Sequence, residues 1–412
     1  MQRGDHMRSI VVLGGGIIGL TSALALARHG LAVTVLGPDT DHAAASWGNA
    51  GHLAVEQIVP LASPQAVRSA PGRLFVRGGA LALPLRMIGD WAPFVARLLR
   101  ASTPAKAKAG TVALGGLMAE AMPAWRRLAD ALDTPELLRE NGHLIVWESA
   151  RSAERGRRAW EEAETGAAHL VDADDADRRA LAAAVDGPIG GVARFSGSGQ
   201  IADLDRLRNA LHAALAAAGV AVVKQAGRLT VERGKAVVPG IPADAVLVAA
   251  GVGSKPLMRA AGHRAPLIAE RGYHLRGAAN RWPERLPPVV FEDRAMIVTR
   301  YADCVQAASF VELGNPDAPP DPRKWARLER HIADLGLAFG PPYRRWMGSR
   351  PTLPDYLPAI GRSTRADNLL YAFGHQHLGL TLAAVTAELV ASIATDASPA
   401  IDLTPFAIDR FA

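Results

Sequence analysis

The chain holds a single cysteine, Cys304, which excludes an intrachain disulfide framework and any CxxC-type zinc or iron–sulfur site. That scarcity points to a reducing compartment. Lysine is also scarce, at six residues, so nearly all of the positive charge is arginine. Runs of five or six like charges are missing. The 46 basic and 40 acidic residues are interspersed, and despite a net charge of +6 the clustered footprint of a nucleic-acid surface is absent. Long apolar runs are wanting too, apart from Ile10 to Ala27. Three consecutive glycines, Gly14 to Gly16, interrupt that run, and glycine disfavours a helix interior by about 1 kcal/mol each. No small-residue cleavage site follows it, so strand, turn and helix is the better reading than a signal peptide or membrane span.

What is present is ordinary globular material. The 412 residues suggest two or three domains, and 49% hydrophobic residues supply a large core. Ile10 to Leu13 reads as a strand buried on both faces, Ile18 to His29 as a helix ending at Gly30, and Ala32 to Leu36 as a second buried strand. Between the first strand and the helix lies GGGIIG, in which Gly14, Gly16 and Gly19 form GxGxxG. The three glycines serve a tight turn, close approach to a pyrophosphate and close helix–strand packing. The helix N-terminus adds unpaired N–H groups and the positive end of its dipole. The acid that such a unit places at the end of its second strand is missing, because VTVL runs into Gly37 and Pro38. Asp39 is the nearest substitute for a ribose contact, and a solvated loop carboxylate is an equal reading of it.

Further along, Leu81 to Leu138 reads as helices anchored by Trp91, Phe94 and Trp125, and His143 to Trp147 as a strand. Ala153 to Thr165 reads as a charged helix, Asp172 to Ala184 as another, and AHLVDADDADRR as a solvated face. An amphipathic helix is expected over Ile201 to Gly219, then a short buried strand over Val220 to Val223 and another over Ala243 to Gly251. Val289 to Val311 reads as a meander that packs Cys304 in the core. Leu369 to Phe373 reads as a strand and Leu380 to Thr395 as a long apolar helix. Buried parallel-type strands thus recur at the start, middle and end of the chain. The expected fold is α/β (α+β overall), a Rossmann-like nucleotide domain interrupted by a mixed-sheet substrate domain. The expected segments are 8–75, 194–262 and 346–412 for the first and 76–193 and 263–345 for the second.

Three motifs taken together, GGGIIG, SWGNAG at Ser46 to Gly51, and the pair GSRPTLPDYLPAIG and GHQHLGLT, resemble the FAD-dependent amino-acid oxidoreductases of the D-amino-acid oxidase and dehydrogenase superfamily. Within it the chain looks most like the bacterial D-amino-acid dehydrogenases, and RPTLPDYLPAIG and GHQHLGLTLA are similar to the wording of D-hydroxyproline dehydrogenases. The resemblance implies FAD as cofactor, with Gly14, Gly16 and Gly19 at the pyrophosphate. It sets Ser46, Gly48, Asn49, Ala50 and Gly51 past the pyrophosphate and flavin ring, Leu229 at the adenine in a strand after Lys224, and Gly251 at the end of the second strand. Gly374, Gly379, Leu380 and Thr381 fall against the flavin pyrimidine edge, where a helix starting near Leu380 would aim its positive end. Arg350 matches the carboxylate-binding arginine, and Tyr273 in ERGYHL a strand facing the substrate. His52, His375 and His377 fall near the flavin face, as substrate contacts or as loop supports. No acid or base catalyst and no metal ligand is implied.

The implied reaction is transfer of the Cα hydrogen of a D-amino acid as hydride to the flavin, with cis-4-hydroxy-D-proline going to a pyrroline carboxylate. The alternatives are a broad D-amino-acid dehydrogenase, a glycine- or sarcosine-type oxidase, an NAD(P)-dependent dehydrogenase, or a non-catalytic nucleotide- or RNA-binding component. Expected partners are the small-molecule D-amino acid and a quinone or protein electron acceptor, with no nucleic acid. The expected location is the cytoplasm, with peripheral contact at the inner membrane left open and no amphipathic anchor standing out.

Overall fold

In a computed structural model, which describes residues 7–38, 44–279 and 281–412, two large sheets organise the chain. The first has six strands in the order Ala221–Lys224, Ala32–Gly37, Ser9–Leu13, Ala245–Val248, Leu369–Phe373 and Ala359–Arg362. Only its last pair is antiparallel. The alternating β-branched residues fill both faces. Ile10, Val12, Val33, Val35 and Leu247 pack on the helices Ile17–Arg28, Leu204–Ala217 and Ala383–Ala394. Val11, Leu13, Val246 and Val248 pack on the opposite side with Met258 and Tyr371. This two-sided burial is what a parallel sheet requires.

The second sheet has nine strands, ordered Arg344–Thr352, Ile268–Ala278, Cys304–Gly314, Met296–Arg300, Val289–Phe291, His143–Trp147, Gly191–Ser196 and His169–Asp172, with Leu81–Ala82 paired off the third. Most of its pairings are antiparallel, so the mixed sheet expected from the sequence is present. Cys304 is buried in it, as read from the meander. A three-stranded patch of His52–Leu53, Gly199–Ile201 and Leu138–Arg139 sits beside the two sheets. Among the described residues no helix is long and apolar enough to cross a membrane.

Several expectations change. Ala221–Lys224 is an exposed edge strand rather than a buried one, because it pairs only with Ala32–Gly37. Ile201 closes a strand, and the helix after it begins at Leu204, capped by the Asp203 side chain. Within the acidic run, His169–Asp172 is an outer strand and only Asp175–Ala182 is helical. The strands Gly191–Ser196 and Arg344–Thr352 run across the boundaries expected at 193 and 345, so those boundaries cut through the second sheet. The C-terminal helix starts at Ala383, three residues later than expected, after a short turn over Gln376–Leu378.

Candidate active site

One cavity of about 1410 Å³ extends from the first glycine turn to the second sheet. That exceeds the roughly 300–1,000 Å³ of an ordinary small-molecule pocket and suits a dinucleotide together with a small substrate. Its two ends are built differently.

At the first end, Gly14 has φ +138° and donates its N–H to Leu36 O at 2.8 Å. A Cβ on Gly14 would strike the Ala249 carbonyl, and one on Gly19 would strike the Gly14 carbonyl. Strand tips and helix start therefore meet backbone to backbone. The Ile17–Arg28 helix has no acidic residue in its first turn, and its first N–H is met by Ser46 Oγ at 3.1 Å. Gly37 explains the missing acid: a Cβ there would lie 2.9 Å from Gly15 Cα, so the strand end is packed against the turn itself. Asp39 lies outside the described residues. Gly14, Gly16, Ser46, Gly48, Asn49, Ala50 and Gly251 all line the cavity, in a bare cradle with a helix N-terminus that fits the pyrophosphate of FAD. Gly19 supports this wall from behind. Leu229 is not in a strand. It is buried against Val11, Leu13 and Leu36, and the nearby cavity wall is Ala226 and Gly227 instead.

The Ser46–Gly51 segment is tied down by residues of the second sheet that sequence reasoning did not single out. Tyr301 donates its hydroxyl to Asn49 O at 2.7 Å, Gln306 Nε2 donates to the same oxygen at 3.0 Å, and His274 Nδ1 meets Gly48 O at 3.0 Å. Gly51, at φ +73°, sits against the Tyr301 ring and supports the segment without lining the cavity. Burial pushes His274 down to about 3, so its imidazole is neutral.

On the C-terminal side, Gly379 and Leu380 line the cavity, whereas Gly374 packs on Leu353 and Thr381 accepts from Ala54 N at 3.0 Å. Trp125 Nε1 donates to the carbonyls of Leu380 and Thr381, both at 3.1 Å. His375 lines the cavity, but its Nε2 is engaged by Thr386 Oγ1 at 3.0 Å, and burial pushes its pKa down to about 3. It anchors the helix start.

The second end is set by the Ile268–Ala278 strand. Glu270 and Arg350 are directly opposed partners across the ladder, and Gly272 opposes Gly348. The Arg350 guanidinium lies over Gly272, where a Cβ would collide with it. Its Nη1 donates to Glu270 Oε1 at 3.1 Å and to Phe310 O at 3.4 Å. That carbonyl is presented by a bulge, since the register shifts between Arg271 and Tyr273 and Phe310 takes φ +72°. Glu270 is 1% exposed and also accepts from Thr352 Oγ1 at 3.2 Å and Tyr356 OH at 3.3 Å. Arg350 keeps 27% of its side chain exposed, on the cavity wall.

Tyr273 lines the cavity, but its hydroxyl is taken by other partners. Its hydroxyl donates to Glu312 Oε1 at 2.8 Å and accepts from Asp321 N at 3.1 Å, and both partners are buried. Side chains alternate along a strand, so Glu270 and Gly272 present one face to Arg350 while Arg271 and Tyr273 present the other.

Beside Arg350 the cavity is walled by His52, Glu56, Gln57, His143 and His377. His52 Nε2 meets His143 Nδ1 at 3.1 Å, and His143 Nδ1 also meets Ser198 Oγ at 2.8 Å. His377 Nε2 meets Gln57 Oε1. Burial, aided by His377, lowers His52 to about 4, and burial chiefly lowers His377 to about 4. Burial pushes Glu56 up to about 7, and its Oε2 lacks a partner among the described residues. His52, Glu56 and His143 are near enough to share an ion, yet the two imidazoles spend their facing nitrogens on one another. Glu56, Gln57, His143 and Glu270 were missed because none belongs to a motif of recognisable spacing. Only ERGYHL, once its alternation is set against Arg350, points to Glu270.

Comparison with known proteins agrees with this geometry. Residues 9–393 match the family described as FAD dependent oxidoreductase, DAO. A D-amino-acid oxidase of Bradyrhizobium diazoefficiens is 31% identical over 98% of this chain and 99% of its own. A D-amino acid dehydrogenase of Cereibacter sphaeroides is 30% identical, covering 98% of this chain and 95% of its own. Among solved structures, glycine oxidase from Geobacillus kaustophilus superposes with a TM-score of 0.71 at 19% identity, over 98% of both chains.

Proposed function

Because this chain belongs to the DAO family of FAD-dependent oxidoreductases, we propose that it is a D-amino-acid dehydrogenase that converts cis-4-hydroxy-D-proline to a pyrroline carboxylate. The observation that carries the reading is the Arg350 guanidinium, laid over a bare glycine, steadied by Glu270 through one nitrogen and open to the cavity. A planar guanidinium binds a carboxylate through two parallel hydrogen bonds, fixing the direction of Cα–H as well as holding the substrate.

Bound FAD supplies a two-electron acceptor for the hydrogen on Cα. The chain supplies the rest. Gly14, Gly16 and Ser46 would hold the cofactor's pyrophosphate end, with Asn49 and Ala50 beside it under restraint from Tyr301 and Gln306. Arg350 orients the carboxylate, and Glu270 keeps Arg350 from turning away. The neutral imidazoles of His52 and His377 form a polar wall without adding positive charge that would repel a substrate ammonium. The electron acceptor of this reading is a quinone or a partner protein.

The proline-type substrate is supported by the wording of the two C-terminal motifs, and a broader D-amino-acid or glycine and sarcosine specificity is the rival. Turnover with an artificial electron acceptor, compared across cis-4-hydroxy-D-proline, D-alanine, glycine and sarcosine, tests it. The highest kcat/KM is expected for the hydroxyproline; a higher value for any of the others replaces it as substrate while keeping the reaction class.

A further inference from the structure

Burying a carboxyl group is unfavourable unless its oxygens find partners. Glu56 is 3% exposed, in the turn after the His52–Leu53 strand, and only half of its carboxyl is provided for. Gln57 Nε2 donates to Oε1 at 3.3 Å, while Oε2 has no partner among the described residues. The side chain belongs to the cavity wall.

Among the described residues lining the cavity, one other buried side-chain atom is left in this way, Gln376 Oε1. Both atoms accept hydrogen bonds, so the wall calls for donors. They sit in different parts of it. Gln376 Nε2 donates to Tyr356 O at 2.7 Å and the Tyr356 hydroxyl donates to Glu270, which places Gln376 with Arg350. Glu56 stands beyond His377 and Gln57 from there. The charges of Glu270 and Arg350 act on His377, His377 Nε2 meets Gln57 Oε1, and Gln57 in turn holds Glu56. Because Gln57 spends its amide hydrogens on Glu56, its oxygen faces His377, which carries its proton on Nε2. On the other side, His52 and His143 each bring a ring nitrogen within 4.8 Å of a Glu56 oxygen. The carboxyl is thus held in place from one oxygen and left unspent at the other.

We propose that Glu56 selects the hydroxyl on the substrate ring, bonding it through Oε2 while Arg350 holds the carboxylate across the ring; the inference rests on the cis-4-hydroxy-D-proline reading above. A hydroxyl both donates and accepts, so it satisfies Glu56 whether ionised or protonated. Burial pushes that carboxyl up to about 7, so both forms are present near neutral pH. A second ammonium on the substrate would suit the ionised form alone, and an apolar ring edge would suit neither. A ring without the hydroxyl seals Oε2 away from water and leaves it unpaired, which is how a site built for a hydroxyl rejects the analogue that lacks it.

The test is turnover of the FAD-loaded full chain with an artificial electron acceptor on cis-4-hydroxy-D-proline and on D-proline. The unaltered protein should prefer the hydroxylated ring by about a hundredfold in kcat/KM. Glu56→Leu should bring that ratio to about one, whereas Glu56→Gln, which keeps an acceptor and gains a donor, should hold it at about tenfold. The ratio does not depend on how much of a preparation is folded. A glutamate that only supports the wall would lower both substrates alike, and an unchanged ratio in Glu56→Leu overturns the inference. Equal turnover of the two rings by the unaltered protein overturns it as well and leaves the proline-type substrate standing. Turnover of neither ring overturns the substrate reading and this inference with it. Should Glu56→Leu purify without FAD, the Glu56→Gln ratio decides, and an undiminished preference there overturns the assignment.

Discussion

Two clusters of buried charge lie on opposite faces of the Ile268–Ala278 strand, and they differ in whether their charged groups reach the cavity. On one face Arg271 and Tyr273 meet Glu312, which is also engaged by Lys324, which in turn holds Asp321 at 3.0 Å. Arg271 Nη2 adds the carbonyls of Ala318 and Pro319 at 2.8 and 2.9 Å. Arg271, Glu312 and Lys324 are all within 1% of full burial. On the other face Glu270 is just as buried, yet its partner Arg350 opens on the cavity, and Glu56 nearby keeps an oxygen without a partner. The closed cluster pairs its charges with one another, with Arg271 Nε alone in it left without a partner among the described residues, and holds an architecture together. An open one leaves hydrogen-bonding capacity for something that arrives. The first is structural and the second is where substrate belongs.

The largest effect should separate the two faces directly. Arg350→Ala is expected to lower kcat/KM by about a hundredfold or more, because it removes two charge-assisted hydrogen bonds to the carboxylate. The variant should still purify with FAD. Tyr273→Phe, on the closed face, should leave kcat/KM nearly intact, and a comparable loss there would break the comparison.

Next in size is the closed cluster itself. Lys324→Met strands Glu312 and Asp321 without their shared cation, which should cost about 3–5 kcal/mol of stability. A fall in the urea midpoint with kcat/KM preserved among the remaining folded molecules is the expected pattern. An unchanged midpoint would mean that the cluster does not brace the sheet.

The smallest effect is a pH dependence. Burial lowers His375 and His274 to about 3 in the folded chain, against a usual value near 6.5 when unfolded. Below about pH 6.5 the unfolded chain takes up protons that the folded chain refuses, so stability present at neutral pH is lost as pH falls toward 3. Glu56 acts with the opposite sign: its folded value of about 7 lies above the unfolded one, so its contribution is lost as pH rises toward 7. The histidines outnumber it, and urea midpoints are expected to decline from pH 6.5 downward. Glu56→Gln should sharpen that decline by removing the opposing term.

The sequence made the first sheet readable because its signals are local: a β-branched run, a glycine turn and a helical period within about thirty residues. Gly37 could be seen to lack an acid, but only its contact with Gly15 explains why. The second sheet's register is non-local. The bulge at Phe310 and the Glu270–Arg350 pairing join residues 40 and 80 positions apart, which no pattern within ERGYHL can report. The hydroxyl partners of Tyr273 are hidden for the same reason, since one residue's shift along a strand exchanges its faces.

The central claim is that the open cluster receives an amino-acid carboxylate. An anaerobic absorption titration tests it, comparing cis-4-hydroxy-D-proline with 3-hydroxypyrrolidine, the same ring without its carboxylate. Bleaching of the oxidised flavin bands by the amino acid and not by the amine is the predicted result. Equal bleaching by both, or a purified protein that takes up no flavin, would contradict it.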